Sequence, residues 1–306
     1  MPAAEEPPFQ AAGLAYAAAA FFSWGIVPVY WKQVAYVPSY EIVLHRIVWS
    51  ALLLAMVLAW RGRLGELAAA LRDAPTRAIL AATTILIGAN WFMFIWAVNT
   101  GHLLDSSLGY FLTPIINVAL GVFFLKERLR AAQLAAVGLA AAGVGAAVLS
   151  HGRFPWLALA LAATFGIYGL LRKLVKVDAL LGLSAETILL APPAAAALFF
   201  LHRRGGLSFF RDGFTQAMLI GAAPVTALPL LWFAHGARRL PLKTLAFVQF
   251  LSPSCQFAIA VAVYGEPLSP AKLLTFALIW AAALVYAIDA AISTAKGRSL
   301  PSASAS

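Results

Sequence analysis

Ser107-Leu-Gly-Tyr-Phe111-Leu-Thr-Pro114-Ile-Ile-Asn117 decides the reading of this chain, because its pattern is written twice. Phe250-Leu-Ser-Pro253 aligns with Phe111-Leu-Thr-Pro114 at an offset of 139 residues. At the same offset Leu103 meets Leu242, Asn117 meets Gln256, Val122 meets Val261 and Glu127 meets Glu266. Earlier in each half, Ser23-Trp-Gly25 faces Thr164-Phe-Gly166, and Pro38-Ser-Tyr-Glu41 faces Leu183-Ser-Ala-Glu186. Shared order at a near-constant offset marks an internal repeat.

The repeat is built from apolar residues. Of 306 residues, 62% are hydrophobic and 11% charged, against roughly 25% charged in soluble domains. The mean hydropathy is +0.86. A water-facing surface is excluded, so the outside must meet lipid. Ten apolar runs lie at about 11–31, 41–60, 78–99, 106–125, 132–150, 155–171, 184–202, 214–236, 244–264 and 271–292, and a membrane helix needs about 20 residues. Their long Ala/Leu stretches lack the alternation of a transmembrane β-barrel. The expectation is an all-α polytopic membrane protein. Five spans per half is an odd number, so the second half enters the bilayer upside down. The ten transmembrane helices then form two inverted five-helix repeats, 11–150 and 155–292, followed by a polar C-terminal tail, 293–306. That architecture belongs to secondary transporters, with the substrate near midplane.

Charge supplies orientation. The net charge of +10 reads as cytoplasmic loops rich in Lys and Arg rather than as a nucleic-acid surface. Arg61, Arg63, Arg72, Arg77, Lys126, Arg128, Arg130, Arg172, Lys173, Lys176, Arg238, Arg239, Lys243, Lys296 and Arg298 fall on one side. Lys32, Arg153, Arg203, Arg204, Arg211 and Lys272 fall on the other, with Arg46 inside a span. Fifteen against six places both termini in the cytoplasm. The acidic start Met1-Pro-Ala-Ala-Glu5-Glu6 lacks the cationic head of a signal peptide, so the first run is expected as an uncleaved span. The lone cysteine, Cys255, excludes an internal disulfide.

Polar residues inside apolar spans mark either packing or a pathway. Asn90 lies mid-span with Phe94 and Ala97 on its face, either bonding a neighbouring helix or meeting a ligand. Tyr110, Pro114 and Asn117 share one side of the fourth span, and Gln249, Pro253 and Gln256 repeat them in the ninth. Each proline frees a carbonyl one turn back, making Pro114 and Pro253 either hinges or static kinks. Trp24, Trp91, Tyr110, Tyr168 and Trp232 supply aromatic surface, and with Asn90 and Gln249 form the candidate substrate site. An aromatic pocket with a few polar groups suits an amphiphilic small molecule. Glu41, His45 and Arg46 at the start of the second span read as a gate or structural cluster, with Glu186 as the repeat mate of Glu41. No carboxylate is expected near the centre of a span, which favours facilitated movement over proton coupling. No phosphate loop, metal-site motif or hydrolase motif occurs, so no cofactor, metal or catalytic residue is expected.

Trp24-Gly-Ile-Val-Pro-Val-Tyr-Trp-Lys32, Glu41-Ile-Val-Leu-His-Arg46 with Trp49-Ser50, Asn90-Trp91 with Trp96-Ala-Val-Asn99, Ser107-Leu-Gly-Tyr-Phe111 continuing to Pro114, and Tyr264-Gly-Glu266 resemble the RarD group. That group belongs to the EamA branch of the drug/metabolite transporter superfamily. The resemblance runs from about residue 14 to 290. It implies a ten-helix bacterial inner-membrane protein whose spans 1, 3, 4, 6, 8 and 9 surround a cavity, related to exporters of amino acids, including aromatic ones, of the YddG type. The expected function is facilitated export of neutral or zwitterionic small metabolites, foremost amino acids including aromatic ones, by alternating access, as a monomer, with membrane lipid and a small-molecule substrate as partners and no nucleic acid. The alternatives are a proton-coupled permease for drugs of the chloramphenicol kind and, more remotely, an intramembrane enzyme.

Overall fold

In hydrocarbon a peptide chain must satisfy its backbone groups internally, and uninterrupted apolar runs do so as helices. The computed structural model describes residues 7–125, 130–151, 154–237, 239–240 and 248–298. Among these every regular element is helical. The order is α1 (Pro7–Lys32), α2 (Ser39–Trp60), α3 (Leu64–Arg72), α4 (Ala74–Asn99), α5 (Leu103–Leu125), α6 (Ala131–His151), α7 (Trp156–Leu174), α8 (Ala179–Arg203), a 3₁₀ turn (Ser208–Phe210), α9 (Gly213–Ala237), α10 (Leu251–Ala258) continued by a π turn (Ile259–Val263), and α11 (Pro270–Arg298). Seven of them, α1, α2, α4, α6, α8, α9 and α11, contain stretches long and apolar enough to cross a membrane. Trp156–Arg172 and Leu251–Val263 are shorter apolar helices.

Several boundaries depart from expectation by a few residues, and three departures matter most. The short amphipathic helix α3 occupies the segment read as a loop, with Glu66 in its first turn and Arg72 in its last, where each complements the helix dipole. Helix α11 continues past 292 to Arg298. Helix α8 starts at Ala179 instead of 184, because Asp178 caps it by accepting from the Leu181 N–H at 2.9 Å. Glu186 therefore lies two turns inside the helix and is fully buried. The expectation that Glu186 sits at a span beginning is thereby corrected: it stands two turns in, still short of the middle of the 25-residue helix. Lys126, Glu127, Arg128, Arg153, Arg238, Leu242, Lys243 and the tail beyond Arg298 lie outside the described residues.

Burial is the reverse of a soluble bundle. Ile85 and Leu149 are 70% and 89% exposed, whereas Thr83, Ser107, Asn90, Glu186 and Gln256 are buried. Apolar residues outward and hydrogen-bonded polar residues inward is the arrangement lipid demands. In the packing, α6 lies against α11; α2 against α8 and α9; α1 against α9 and α10; α4 against α7 and α8; and α5 against α7, α10 and α11.

Contacts between connections gather at two ends. At one, Arg63 pairs with Glu66 and with Asp178, tying the α2–α3 turn to the start of α8. At the other, Lys32 Nζ donates to the Val98 carbonyl at 3.0 Å and the Glu266 carboxylate accepts from the N–H groups of Leu103 and Leu104 at 2.7 and 2.9 Å. Tyr36 meets Thr215 there at 2.7 Å. Gly101, at φ +75°, makes the tight α4–α5 link that a side chain would strain.

Candidate functional site

Asn90 stands where α4 crosses α7. Its Nδ2 donates to the Leu161 carbonyl at 3.1 Å and to Thr164 Oγ1 at 2.9 Å. Its Oδ1 accepts from the Tyr110 hydroxyl at 3.4 Å. Thr164 in turn donates to the Ala160 carbonyl, the back-bonding that lets a hydroxyl sit inside a helix. Both amide protons are thus spent on α7, so in this conformation Asn90 joins α4, α5 and α7.

From Tyr110 an aromatic chain continues to Tyr168 by way of Phe165, which is 40% exposed. Phe94 meets Tyr110 edge-on at 5.8 Å, Tyr110 meets Phe165 at 6.1 Å, and Phe165 meets Tyr168 at 6.0 Å. The Tyr168 hydroxyl donates to Glu186 Oε2 at 3.2 Å. Arg172 Nε lies 3.9 Å from Glu186 Oε1, and the same guanidinium donates to the Asp178 carbonyl at 3.1 Å. The charge of Glu186 is therefore met by a cation on the preceding helix.

The cluster expected from Glu41, His45 and Arg46 divides. Glu41 accepts from Ser208 Oγ at 2.8 Å and from the Phe209 N–H at 3.1 Å. The His45 ring stacks on Phe209 at 4.8 Å, with Nε2 3.9 Å from Glu41 Oε1. These two residues fasten the 3₁₀ turn before α9 onto the start of α2. Arg46 turns away from them, because at about 100° per residue it stands well round the helix from Glu41. Its guanidinium lies 4.1 Å over the Trp91 ring and 5.5 Å from the Trp31 ring, and Nε donates to Thr226 Oγ1 on α9 at 3.0 Å.

The remaining predicted residues are dispersed. Trp24 packs with Phe21 and Phe233 in a separate cluster. Trp232 is half-buried on α9, and Gln249 is half-buried in the turn before α10. Pro114 and Pro253 are buried within α5 and α10, and Ser107 Oγ donates to the Pro253 carbonyl at 2.8 Å. Phe111 and Phe250, which are repeat mates, stack on each other at 6.0 Å. Beside them a crevice of about 300 Å³ is lined by Phe111, Phe250, Ser254, Trp280, Ala283, Leu284 and Ala287; none of the polar groups around Asn90 lines it. Sequence reasoning missed Thr226 and Trp31 as partners of Arg46, and no pattern singles them out. Glu266 was visible as a repeat mate but not as the cap of α5.

A helical bundle with an apolar exterior and a hydrogen-bonded polar interior is the build of a polytopic membrane protein. Residues 11–149 match the EamA-like transporter family. A protein of Vibrio cholerae described as an uncharacterized transporter is 43% identical over 283 residues, covering 90% of this chain and 92% of its own. The Protein RarD of Escherichia coli is 40% identical over 279 residues, covering 91% and 94%. A crystal structure shares the fold with a TM-score of 0.59 at 16% identity, covering 91% of this chain and 98% of that one. The chain belongs to the EamA-like transporter family, as a RarD-type member of the drug/metabolite transporter superfamily. It is a multi-pass membrane transporter.

Proposed function

We propose that the protein exports neutral or zwitterionic small metabolites, amino acids including aromatic ones, across a bacterial inner membrane by alternating access of two inverted five-helix halves. The observation that carries the mechanism is a packing pattern that maps onto itself when the halves are exchanged. Gly25 of α1 meets Cys255 of α10, and their repeat mates Gly166 of α7 and Ile116 of α5 meet in the same way. Likewise α1 lies on α9 as α7 lies on α4, and α2 on α9 as α8 on α4. The stacked mates Phe111 and Phe250 support a pseudo-two-fold axis between them, with Pro114 and Pro253 three residues further along each chain as bending points. Ten crossings with both termini cytoplasmic agree with the sorting of loop contacts into two ends and with the cation imbalance. Cysteine-accessibility mapping tests this directly on a Cys255→Ser background.

The substrate class is supported by the aromatic residues around Tyr110 and by the resemblance to amino acid exporters. The protein is read as acting as a monomer, and transport as downhill, because Arg172 already balances Glu186. Proteoliposomes loaded with labelled phenylalanine should exchange it without an imposed proton gradient. Movement of chloramphenicol but of no amino acid would sink the substrate assignment. A second reading, proton-coupled exchange, is favoured by one observation: Glu186 is buried within a span and bonded to Tyr168. Strict dependence of transport on the proton gradient, lost in Glu186→Gln, would establish it in place of the first.

A further inference from the structure

Arg46 is a charge inside a span that meets no oppositely charged group among the described residues. Its surroundings come from four helices: Trp31 on α1, Trp91 on α4, Thr226 on α9, and Tyr110 on α5 within electrostatic reach. Only Nε is committed, to a hydroxyl. Among the described residues no carboxylate lies within ion-pair distance, and no acceptor meets the two terminal nitrogens. Glu41, on its own helix, is occupied by Ser208 and the Phe209 N–H, and Glu186 by Tyr168 and Arg172.

An arginine inside a membrane bundle is costly and faces the interior or a water-filled space. The rings of Trp91 and Trp31 offset part of that cost, but a ring face does not replace an anion. Arg46 nevertheless keeps some accessible surface although four helices surround it, and its terminal nitrogens stay free to take an acceptor from outside the chain. A guanidinium presents parallel donors matched to a carboxylate fork, and the low dielectric around it strengthens that attraction.

We propose that Arg46 is the anchor for a substrate carboxylate, with the Trp91 and Trp31 faces and Tyr110 receiving an aromatic or other apolar group beside it. This rests on the transporter reading above, and it narrows the substrates from neutral solutes to those carrying a carboxylate.

The test uses the purified full-length protein and four probes: phenylalanine, 3-phenylpropionate, which lacks its ammonium, phenethylamine, which lacks its carboxylate, and the uncharged chloramphenicol. A ligand that binds the native state raises its apparent melting temperature by mass action. Phenylalanine and 3-phenylpropionate should stabilise the protein, and phenethylamine and chloramphenicol should not. Arg46→Gln should weaken binding of 3-phenylpropionate by at least about tenfold, as expected when a charge-assisted pair is lost. Arg46→Lys, which keeps the charge without the fork, should fall between. If Arg46→Gln fails to fold, the comparison of 3-phenylpropionate with phenethylamine on the wild-type protein still decides. Equal stabilisation by those two overturns the proposal while leaving amino acid transport intact. Stabilisation by 3-phenylpropionate but not by phenylalanine upholds it and removes the amino acid assignment. Indifference to every carboxylate overturns it as well.

Discussion

Gln256 Nε2 on α10 donates to the backbone carbonyl of Trp24 on α1 at 3.2 Å, and that carbonyl is available because Pro28, four residues on, has no N–H to give it. A helix-breaking residue in one half is thus completed by a side chain from the other. Proline in a membrane helix is tolerated when a neighbour re-satisfies the freed group.

Gln256→Leu should therefore cost about 1–3 kcal/mol, the penalty for a buried carbonyl without a partner. In Pro28→Ala the helix regains its own hydrogen bond, so the same Gln256→Leu change should cost much less. Unfolding of the four proteins in a double-mutant cycle checks this, and strictly additive losses would refute it.

A methyl group on Gly25 would lie 2.6 Å from Cys255 Cβ and 3.1 Å from the Ser252 carbonyl oxygen; one on Gly166 would lie 2.9 Å from Ile116 Cγ2. Both contacts bring a helix of one half against a helix of the other. Gly25→Ala and Gly166→Ala should each destabilise by about 1–3 kcal/mol, as overpacking does, and should slow transport. Gly138→Ala meets open space and should be neutral or stabilising by up to about 1 kcal/mol from helix propensity. Melting temperatures and exchange rates of the three variants distinguish the cases.

Glu266 closes the N-terminus of α5 across the halves, one oxygen on each of the Leu103 and Leu104 amides. Glu266→Ala should cost about 0.5–2 kcal/mol, the usual worth of a cap. Hydrogen exchange at Leu103 and Leu104 should accelerate while exchange in the middle of α2 stays unchanged. Uniform acceleration throughout would mean global destabilisation instead.

At the opposite end, burial raises the Asp178 carboxyl, but the hydrogen bond from Arg63 and that from the Leu181 N–H outweigh it and hold the group below its ordinary 3.8. A depressed carboxylate stabilises the fold above its unfolded pKa, and that contribution fades as pH falls through 3.8 toward the native value. The pair is partly exposed, so its worth is at most about 1 kcal/mol. Asp178→Asn should lower the melting temperature at pH 7, and the gap to the wild type should narrow progressively as pH falls below 3.8. A gap independent of pH would assign the loss to packing.

Some of this was readable as text. Phe111-Leu-Thr-Pro114 and Phe250-Leu-Ser-Pro253 expose the repeat because prolines in apolar runs are rare enough to align. Asn90 stands out because an amide in such a run needs a partner. The cap at Asp178 was readable too, yet starting the span at the next polar residue, Ser184, placed Glu186 near a helix end and hid its burial. The direction of Arg46 was not legible, since Glu41, His45 and Arg46 are close in sequence and differ only in the side of α2 from which they project. Which partner waits on each side depends on the 3₁₀ turn Ser208–Phe210, α4 and α9, far away along the chain.

Composition and repeat order by themselves determined that this is a helical membrane protein of doubled design. Both are properties of the chain read locally: apolar length suffices for a helix in lipid, and a repeated order survives at any separation. Only the tertiary structure decided which charge is spent. Glu41 is engaged by a turn 167 residues away, Glu186 by Tyr168 and Arg172, and Glu266 by the start of α5, while the terminal nitrogens of Arg46 remain uncommitted. That outcome follows from how the helices are rotated against one another, which packing over the whole bundle sets and no short stretch encodes.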